Sequence, residues 1–472
     1  NFTTATNGYN VGVGTSAGGA VTTGINNTIV GGLAGDALTD ADANVAVGMS
    51  ALGTDTLGSR STAVGYSSLA TQNYTTATNS YNVAMGYGSG GSTTTGIQNT
   101  LIGSLSGNSF TDADYNVAIG HAALTTDTKG SRSVAVGYAA LNAQNFTTAT
   151  NSYNVAVGSN AGVSITTGIQ NTIIGALAGD ALTDADYNTA VGLATLGADT
   201  LGSRSTALGY GALTTQNFTT ATNAYNTAVG MNAGLDVTTG FQNTFLGGEA
   251  GANITDADYN VAVGYAALNA DTLGSRSVAL GYATLLNQNF TTATDSYNTA
   301  VGTEAGNDIT TGTGNTLLGG LVGDSLTDAD ANVAIGYLAL TRDTLGSRSV
   351  AIGYNALGNQ NFTTATLSNN VAVGFQAGDS ITTASKSTLI GSISGDSLTE
   401  GGFNVGLGYN TLGSDTLGTR SVAIGSDALR VQNFTTATNV YNTAVGHIAG
   451  YNVTTGTNNT FIGASAGDES TD

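Results

Sequence analysis

Aspartates recur in one type of turn, and clustered carboxylates can coordinate Ca²⁺, which takes about six to eight oxygen ligands. The first such turn reads Gly-Asp-Ala-Leu-Thr-Asp-Ala-Asp over residues 35–42, and closely similar turns occupy residues 179–186 and 323–330. Equivalent turns replace a carboxylate by Asn108 or Gly402. We therefore favour solvated acidic turns with no bound cofactor, and calcium binding is the alternative. The candidate ligands are Asp36, Asp40, Asp42, Asp180, Asp184, Asp186, Asp324, Asp328 and Asp330.

Arginine is placed more strictly than aspartate. Six of the ten basic residues complete the motif Asp-Thr-(Leu/Lys)-Gly-(Ser/Thr)-Arg. An Arg side chain presents its donors in a rigid fork that suits a carboxylate and turn carbonyls. The spacing favours a structural clamp, either a repeated salt bridge or a turn contact, over a ligand site, and the clamp could join subunits. The arginines are Arg60, Arg132, Arg204, Arg276, Arg348 and Arg420, and their expected partners are Asp55, Asp127, Asp199, Asp271, Asp343 and Asp415.

Nothing in the sequence indicates catalysis. The two histidines, His121 and His447, each follow a motif glycine in unrelated parts of the chain, so we expect surface side chains. The segment Gly86-Tyr-Gly-Ser-Gly-Gly91 has the letters of a dinucleotide fingerprint, but no helical pattern follows it. An active site gathers acids, bases or nucleophiles in one pocket. We therefore expect that the chain is not an enzyme.

Composition narrows the range of partners. The net charge is −21, whereas nucleic-acid binding and adsorption to anionic lipid both need basic patches. No apolar run approaches the ~18 residues that a membrane-spanning helix needs, so we expect no membrane insertion. The chain contains no cysteine, which excludes disulfides and thiolate metal sites.

One five-residue motif must provide the elements that position all of these residues. It reads Asn or Ser, then Thr or Val, then a small or apolar residue, then Val, Ile, Leu or Met, then Gly. We count 26 copies, from Asn10 to Asn459. Their spacing follows the cycle 17, 17, 17 and 21 residues, which gives a period of 72. A fixed period of this kind is typical of a solenoid.

The strand motif predicts an all-β chain that forms a parallel β-solenoid of about 26 coils. In the copy Asn154–Gly158, alternation places Val155 and Val157 on one face, which we expect to point inward, and Ala156 on the other. No linker interrupts residues 1–472, so we expect one continuous array. Its 72-residue blocks are 1–72, 73–144, 145–216, 217–288, 289–360 and 361–432, followed by the partial block 433–472.

The third residue of the strand motif is large in the second coil of each block. Elsewhere it is mostly Ala or Gly, so the Ala face is a close-packed surface with one bulky apolar residue in every block. Such a pattern favours a subunit interface around a three-fold axis, and the alternative is that these residues fill a wider part of the coil's own core. The residues are Ile29, Leu101, Ile173, Phe245, Leu317, Leu389 and Phe461.

The strand motifs resemble those of two families of fibrous proteins. Ser133-Val-Ala-Val-Gly137 and Ser421-Val-Ala-Ile-Gly425 resemble the repeat of trimeric autotransporter adhesin heads. Asn226-Thr-Ala-Val-Gly-Met-Asn-Ala-Gly234 and Asn298-Thr-Ala-Val-Gly-Thr-Glu-Ala-Gly306 resemble the shafts of phage tail fibres. The adhesin heads are left-handed parallel β-rolls that associate as trimers, so the resemblance implies a homotrimeric fibre. Steps of 17 and 21 residues are longer than the adhesin pattern.

The resemblance extends over essentially the whole chain and implies a function. We expect a structural fibre or shaft segment of an extracellular or virion appendage, which extends a receptor-binding tip from a virion tail or bacterial cell surface. The expected partners are further copies of the chain and tip or anchor domains outside this segment. The alternative is an adhesin whose solenoid surface binds host glycan or protein through ranks of exposed Tyr and Thr.

Overall fold

The computed structural model describes residues 7–471, and every regular element in that range is a β-strand. Within each of two compact units, strands pair in parallel from one coil to the next, which confirms the predicted parallel β-solenoid. The chain divides into two compact units, unit 1 (Asn1–Thr239) and unit 2 (Gly240–Asp472). Within the described range, no helix is long and apolar enough to cross a membrane.

In unit 1, each copy of the strand motif forms a three-residue strand. Neighbouring strands are in register, so Val155 lies opposite Thr172 and Ala156 opposite Ile173. β-Branched residues dominate these positions and suit the extended backbone. The strands are Val11–Val13, Thr28–Val30, Val45–Val47, Thr62–Val64, Val83–Met85, Thr100–Ile102, Val117–Ile119, Val134–Val136, Val155–Val157, Thr172–Ile174, Thr189–Val191, Thr206–Leu208 and Thr227–Val229.

Unit 2 repeats this arrangement. Ala300 lies opposite Leu317, and Leu317 lies opposite Ala334 in the following coil. The strands are Thr244–Leu246, Val261–Val263, Val278–Leu280, Thr299–Val301, Thr316–Leu318, Val333–Ile335, Val350–Ile352, Val371–Val373, Thr388–Ile390, Val405–Leu407, Val422–Ile424, Thr443–Val445 and Thr460–Ile462.

In each of the six full blocks, an additional short parallel pair joins the end of the third 17-residue step to the end of the 21-residue step. Its first strand includes the Gly-Ser or Gly-Thr that precedes the motif arginine, and its second strand begins with the last Thr of the Thr-rich segment. The pairs are Gly58–Ser59 with Thr78–Asn79, Gly130–Ser131 with Thr150–Asn151, Gly202–Ser203 with Thr222–Asn223, Gly274–Ser275 with Thr294–Asp295, Gly346–Ser347 with Thr366–Leu367, and Gly418–Thr419 with Thr438–Asn439.

The prediction that Val155 and Val157 point into the coil is wrong. Ala156 is fully buried, whereas Val155 is partly exposed and Val157 is 37% exposed. The middle residue is buried in every three-residue strand except Val11–Val13 and Thr460–Ile462. The interior of a coil is narrow, and buried Leu and Ile side chains from its turns occupy most of it. Ala therefore fits inside, and the larger Val and Ile side chains point outward.

The proposed subunit interface at the bulky third residues is also wrong. These side chains fill the chain's own core: Phe245, Leu101 and Ile173 are fully buried, and Ile29, Leu317 and Leu389 are 1–2% exposed. Phe461, near the end of the described range, is partly buried and packs against the core cluster that contains Leu429 and Val453. The alternative, that they fill the coil's own core, is the one that the structure supports.

The turn that follows each bulky strand residue carries a glycine, which makes room for the bulky side chain. In the second coil the turn carries glycine, and a Cβ on Gly323 would lie 3.0 Å from Leu317 Cδ2. One coil later the strand carries Ala334 and the equivalent turn position carries Leu340, which is fully buried. The backbone of Gly323 and Leu340 is left-handed in both cases, with φ values of 53° and 54°. The second and third coils thus exchange a large and a small residue between strand and turn, whereas the first coil carries Ala300 and Gly306, and Leu317 of the second coil packs against that glycine.

The glycine that ends the strand motif is required by the backbone. Gly158 has φ 141°, a conformation that residues with a Cβ rarely adopt. A Cβ at this position would lie 2.5 Å from the carbonyl oxygen of Gly175 in the next coil. This column of glycines turns the chain out of the sheet and places the following residue on the surface.

Candidate functional site

The motif arginines stack on aromatic rings. Arg204 occupies a left-handed position just before the strand motif. Its guanidinium carbon lies 4.7 Å from the ring centre of Tyr187 in the preceding coil and 5.7 Å from that of Tyr225 in the following coil. Its Nε donates a hydrogen bond to Asn223 Oδ1 at 3.0 Å. The Arg therefore links three coils through cation–π contacts on an exposed surface.

The same stacking recurs in most blocks, and the predicted salt bridge to the aspartate of the same motif is wrong. Among the described residues the motif arginines form one ion pair, from Arg276 Nε to Asp295 Oδ1 at 2.9 Å. Arg348 has Ala331 and Asn369 in the positions that rings occupy elsewhere. The remaining contacts are Arg60 with Tyr81, Arg132 with Tyr115 and Tyr153, Arg276 with Tyr259 and Tyr297, and Arg420 with Phe403 and Tyr441.

The aspartates of the arginine motif point into the coil instead. Asp199 is fully buried. Its Oδ2 accepts a hydrogen bond from Gln216 Nε2 at 2.5 Å, and its Oδ1 accepts from the backbone N–H groups of Gly202 and Phe218 at 3.0 and 3.1 Å. Gln216 Oε1 in turn accepts from Asn226 Nδ2 at 2.9 Å. Burial raises the pKa of Asp199, and these hydrogen bonds oppose that effect.

This buried network recurs in each of the six full blocks, where it links the third 17-residue step to the 21-residue step. The sequence indicated neither its burial nor its Gln partner, although the Asp and the Gln recur 17 residues apart. The Asp, Gln and Asn side chains of this network find their hydrogen-bond partners within one chain, so the network is a structural element. The other pairs are Asp55 with Gln72, Asp127 with Gln144, Asp271 with Gln288, Asp343 with Gln360, and Asp415 with Gln432.

The acidic turns stack on the turns of the preceding coil. Asp184 accepts a hydrogen bond from Thr167 Oγ1 at 2.6 Å, and Asp186 Oδ1 accepts from the backbone N–H of Ile169 at 2.8 Å. Asp40, Asp42, Asp328 and Asp330 make the same contacts in their own blocks. Asp36, Asp180 and Asp324 lie half-buried at the start of each turn. The carboxylates of a turn thus have separate partners, and no group of three metal-binding side chains gathers within residues 7–471.

The outward face of the strands is apolar along each unit. The third residue of each strand points outward and is Val, Ile, Leu or Met. In unit 1, Ile174 is 37% exposed and Leu208 is 44% exposed, and in unit 2 Leu318 is 47% exposed. Together with the first strand residue, Val or Thr, they form a continuous apolar stripe, which we call the outer strand face. A stripe of this size is unusual on a monomeric protein surface.

A second column of exposed side chains follows the motif glycine. Many of its members are aromatic, and rings of adjacent coils stack on one another. In unit 1, Tyr66 and Tyr87 have ring centres 5.4 Å apart, and in unit 2, Tyr354 and Phe375 are 5.3 Å apart with nearly parallel planes. Tyr337 extends the second stack, with its ring centre 6.0 Å from that of Tyr354. His121 stacks on Tyr138 in the same column, which confirms that it is a surface side chain.

A cleft of about 430 Å³ lies beside the three-ring stack of unit 2. Leu338 and Asn355 line it, and each directly follows one of the rings. Arg342 Nη1 donates a hydrogen bond to Asn359 Oδ1 at 2.6 Å on the same lining. At its edge, Asp379 Oδ1 accepts from Asn355 Nδ2 at 2.5 Å and from Asn359 Nδ2 at 3.2 Å.

One carboxylate lines this cleft, and a second lies at its edge. Asp324 lines it and accepts a hydrogen bond from Thr341 Oγ1 at 2.6 Å. Burial raises the pKa of Asp379, and the nearby Arg342 opposes that rise. Burial also raises the pKa of Asp396, and the charge of Asp379 raises it further. One carboxylate oxygen of Asp396 is buried without a hydrogen-bond partner among the described residues.

The polar residues of the cleft depart from the repeat together. Arg342 stands where other blocks carry Thr, Ala or Ser, and Asp379 stands where they carry Gly, Val, Leu, Asn or Tyr. Asn355 likewise replaces Ser, Ala, Gly or Asp. Comparison of the blocks could have revealed these departures from the sequence, but only the structure shows that they converge on one cleft.

The sequence matches no protein-family model, and no curated protein is significantly similar to it.

Proposed function

We propose that this chain is a structural segment of an extracellular fibre, which assembles by burying the outer strand face against further copies of itself. Its work is mechanical rather than catalytic: it holds a receptor-binding tip away from a surface. The observation that carries this proposal is the unbroken apolar stripe on the outside of each unit.

The physical argument rests on burial. Covering the half-exposed side chain of Ile174 or Leu208 contributes about 1 kcal/mol, and every strand offers such a residue. The strands cannot associate edge to edge along their length, because each pairs with the coils before and after it. Association through the face is the arrangement left to them, and it would cover the stripe.

The number of subunits and the location come from the resemblance. The motifs Ser133–Gly137 and Ser421–Gly425 resemble those of trimeric adhesin heads, and Asn226–Gly234 and Asn298–Gly306 resemble those of tail-fibre shafts, so we propose a homotrimer on a virion tail or bacterial cell surface. The trimer contact in this proposal is the outer strand face, since Leu317 and its equivalents lie inside each chain.

Analytical ultracentrifugation of the full chain tests the assembly. We expect a species of three times the 46.6 kDa chain mass. A variant with Ile174→Lys, Leu208→Lys and Leu318→Lys should dissociate, because three charges would enter the buried face. These positions are exposed in a single chain, so the variant should keep its fold by circular dichroism.

The matched control places three lysines on the acidic turns instead, as Asp40→Lys, Asp184→Lys and Asp328→Lys. These side chains are exposed and lie outside the outer strand face, so the control should remain assembled. A monomeric wild-type chain would refute the proposed fibre. If the variant with Ile174→Lys, Leu208→Lys and Leu318→Lys remains a trimer, the subunit contact lies elsewhere.

A further inference from the structure

The cleft beside Tyr337, Tyr354 and Phe375 combines two features that a binding site for a sugar requires. The first is an exposed aromatic surface: the three side chains are 45–51% exposed. The apolar C–H face of a sugar ring packs on such rings, as other apolar groups do. The rings stack on each other, so a ligand has access to their outer faces and edges.

The second feature is a set of polar groups with fixed geometry. Arg342 offers donors in a planar fork, and Asn355 and Asn359 offer both donors and acceptors. Their mutual hydrogen bonds hold these side chains in place before a ligand arrives. A cleft of about 430 Å³ lined by a few such groups has the size and polarity of a small-ligand site.

A related groove occurs in unit 1. It shares two positions with the lining of the unit 2 cleft, Ser67 for Asn355 and Ala70 for Gly358, and aromatic rings form part of its lining. Tyr66 and Tyr87 border a cleft of about 340 Å³ together with Ser67 and Asn108. This copy has glycine at 91 where unit 2 has Asp379, and it has no arginine. Grooves beside the aromatic column therefore occur in both units, whereas the arginine is particular to the cleft in unit 2.

We propose that the cleft lined by Leu338, Arg342, Asn355 and Asn359, next in sequence to the exposed rings of Tyr337 and Tyr354, binds a neutral sugar ring of a glycan. The charge balance selects a neutral ring over an acidic one, because Asp324 lines the cleft with its single cation Arg342, Asp379 lies at its edge, and the chain carries a net charge of −21. The cleft residues follow the glycine that ends each strand and are not members of the outer strand face. The site is therefore independent of the proposed assembly.

A glycan microarray with the labelled full chain is the first test. It should include neutral oligomers of glucose, galactose, mannose and N-acetylglucosamine beside sialylated and uronic-acid glycans. We expect neutral glycans to bind and acidic ones to remain unbound. The best neutral oligomer then serves as the probe for isothermal titration. Absence of binding across the panel, or binding of acidic glycans alone, would overturn the proposal.

Variants locate the site. Tyr354→Ala and Arg342→Ala should each weaken binding of that oligomer at least about ten-fold. Tyr282→Ala is the matched control, because Tyr282 stacks on Tyr265 one block earlier, where the arginine is absent. It should leave the affinity unchanged. Unchanged affinity in Arg342→Ala would refute the site even if Tyr354→Ala failed to fold, and equal loss in the control would refute the special role of this cleft.

Discussion

Moving one leucine from a strand to a turn tests how the coil interior is filled. Leu317→Ala removes a side chain that is 1% exposed, and loss of a buried Leu costs about 2–5 kcal/mol. Gly323→Leu alone overfills the same space: a Cβ there would lie 2.8 Å from Leu326 Cδ1 and 3.0 Å from Leu317 Cδ2, and overpacking costs about 1–3 kcal/mol. The double variant reproduces the Ala334 and Leu340 pair of the next coil.

The two substitutions should therefore compensate each other. The double variant should be more stable than either single variant, with a coupling free energy of at least about 2 kcal/mol. It should not recover fully, because Leu at the left-handed position costs about 1–2 kcal/mol. Hydrogen-exchange mass spectrometry of peptides within residues 300–345 measures the local opening free energy, which suits a repeat protein that need not unfold in one step. Additive effects of the two substitutions would refute the volume exchange.

Three further outcomes are expected. Asp199→Ala removes the acceptor of one Gln216 Nε2 donor and of two backbone N–H groups, so local stability should fall by at least about 3 kcal/mol. Because burial raises the pKa of Asp199 and its equivalents, stability should be greatest below the unfolded pKa of about 3.9 and should fall as pH rises through the raised folded pKa, measured as urea midpoints from pH 4 to pH 8. Arg204→Ala should cost about 1 kcal/mol through its two cation–π contacts, and Arg348→Ala, with no ring beside it, less than about 0.5 kcal/mol.

A specific result would refute each of these three predictions. The control for Asp199→Ala is Asp184→Ala, an exposed turn aspartate whose loss should change hydrogen exchange little, and equal effects would show that the buried network is not special. A urea midpoint that rises between pH 4 and pH 8 would contradict the raised pKa values. Equal losses from Arg204→Ala and Arg348→Ala would show that stacking on tyrosine contributes nothing measurable.

The period of the strand motif was enough to predict the fold class. Steps of 17 and 21 residues place Ala156, Ile173 and Ala190 above one another, and the structure pairs them in that register. The reason is local: alternating β-branched residues favour strands, and glycine at a fixed distance ends each one. The existence and spacing of the coils are therefore properties of short segments, which a sequence displays directly.

Only the tertiary structure decided which side of each strand is inside. Alternation separates Val155 and Val157 from Ala156, but both sides are apolar or small, so the pattern does not say which one is buried. The interior volume of a coil decides, because side chains from the turns, such as the fully buried Ile165, already occupy the narrow interior and leave room only for a small residue such as Ala156. The predicted salt bridge within the arginine motif was wrong for the same reason, because the sequence does not show which side chains point inward. Asp199 and Arg204 are five residues apart, but Asp199 points into the core and Arg204 lies on the surface against Tyr187.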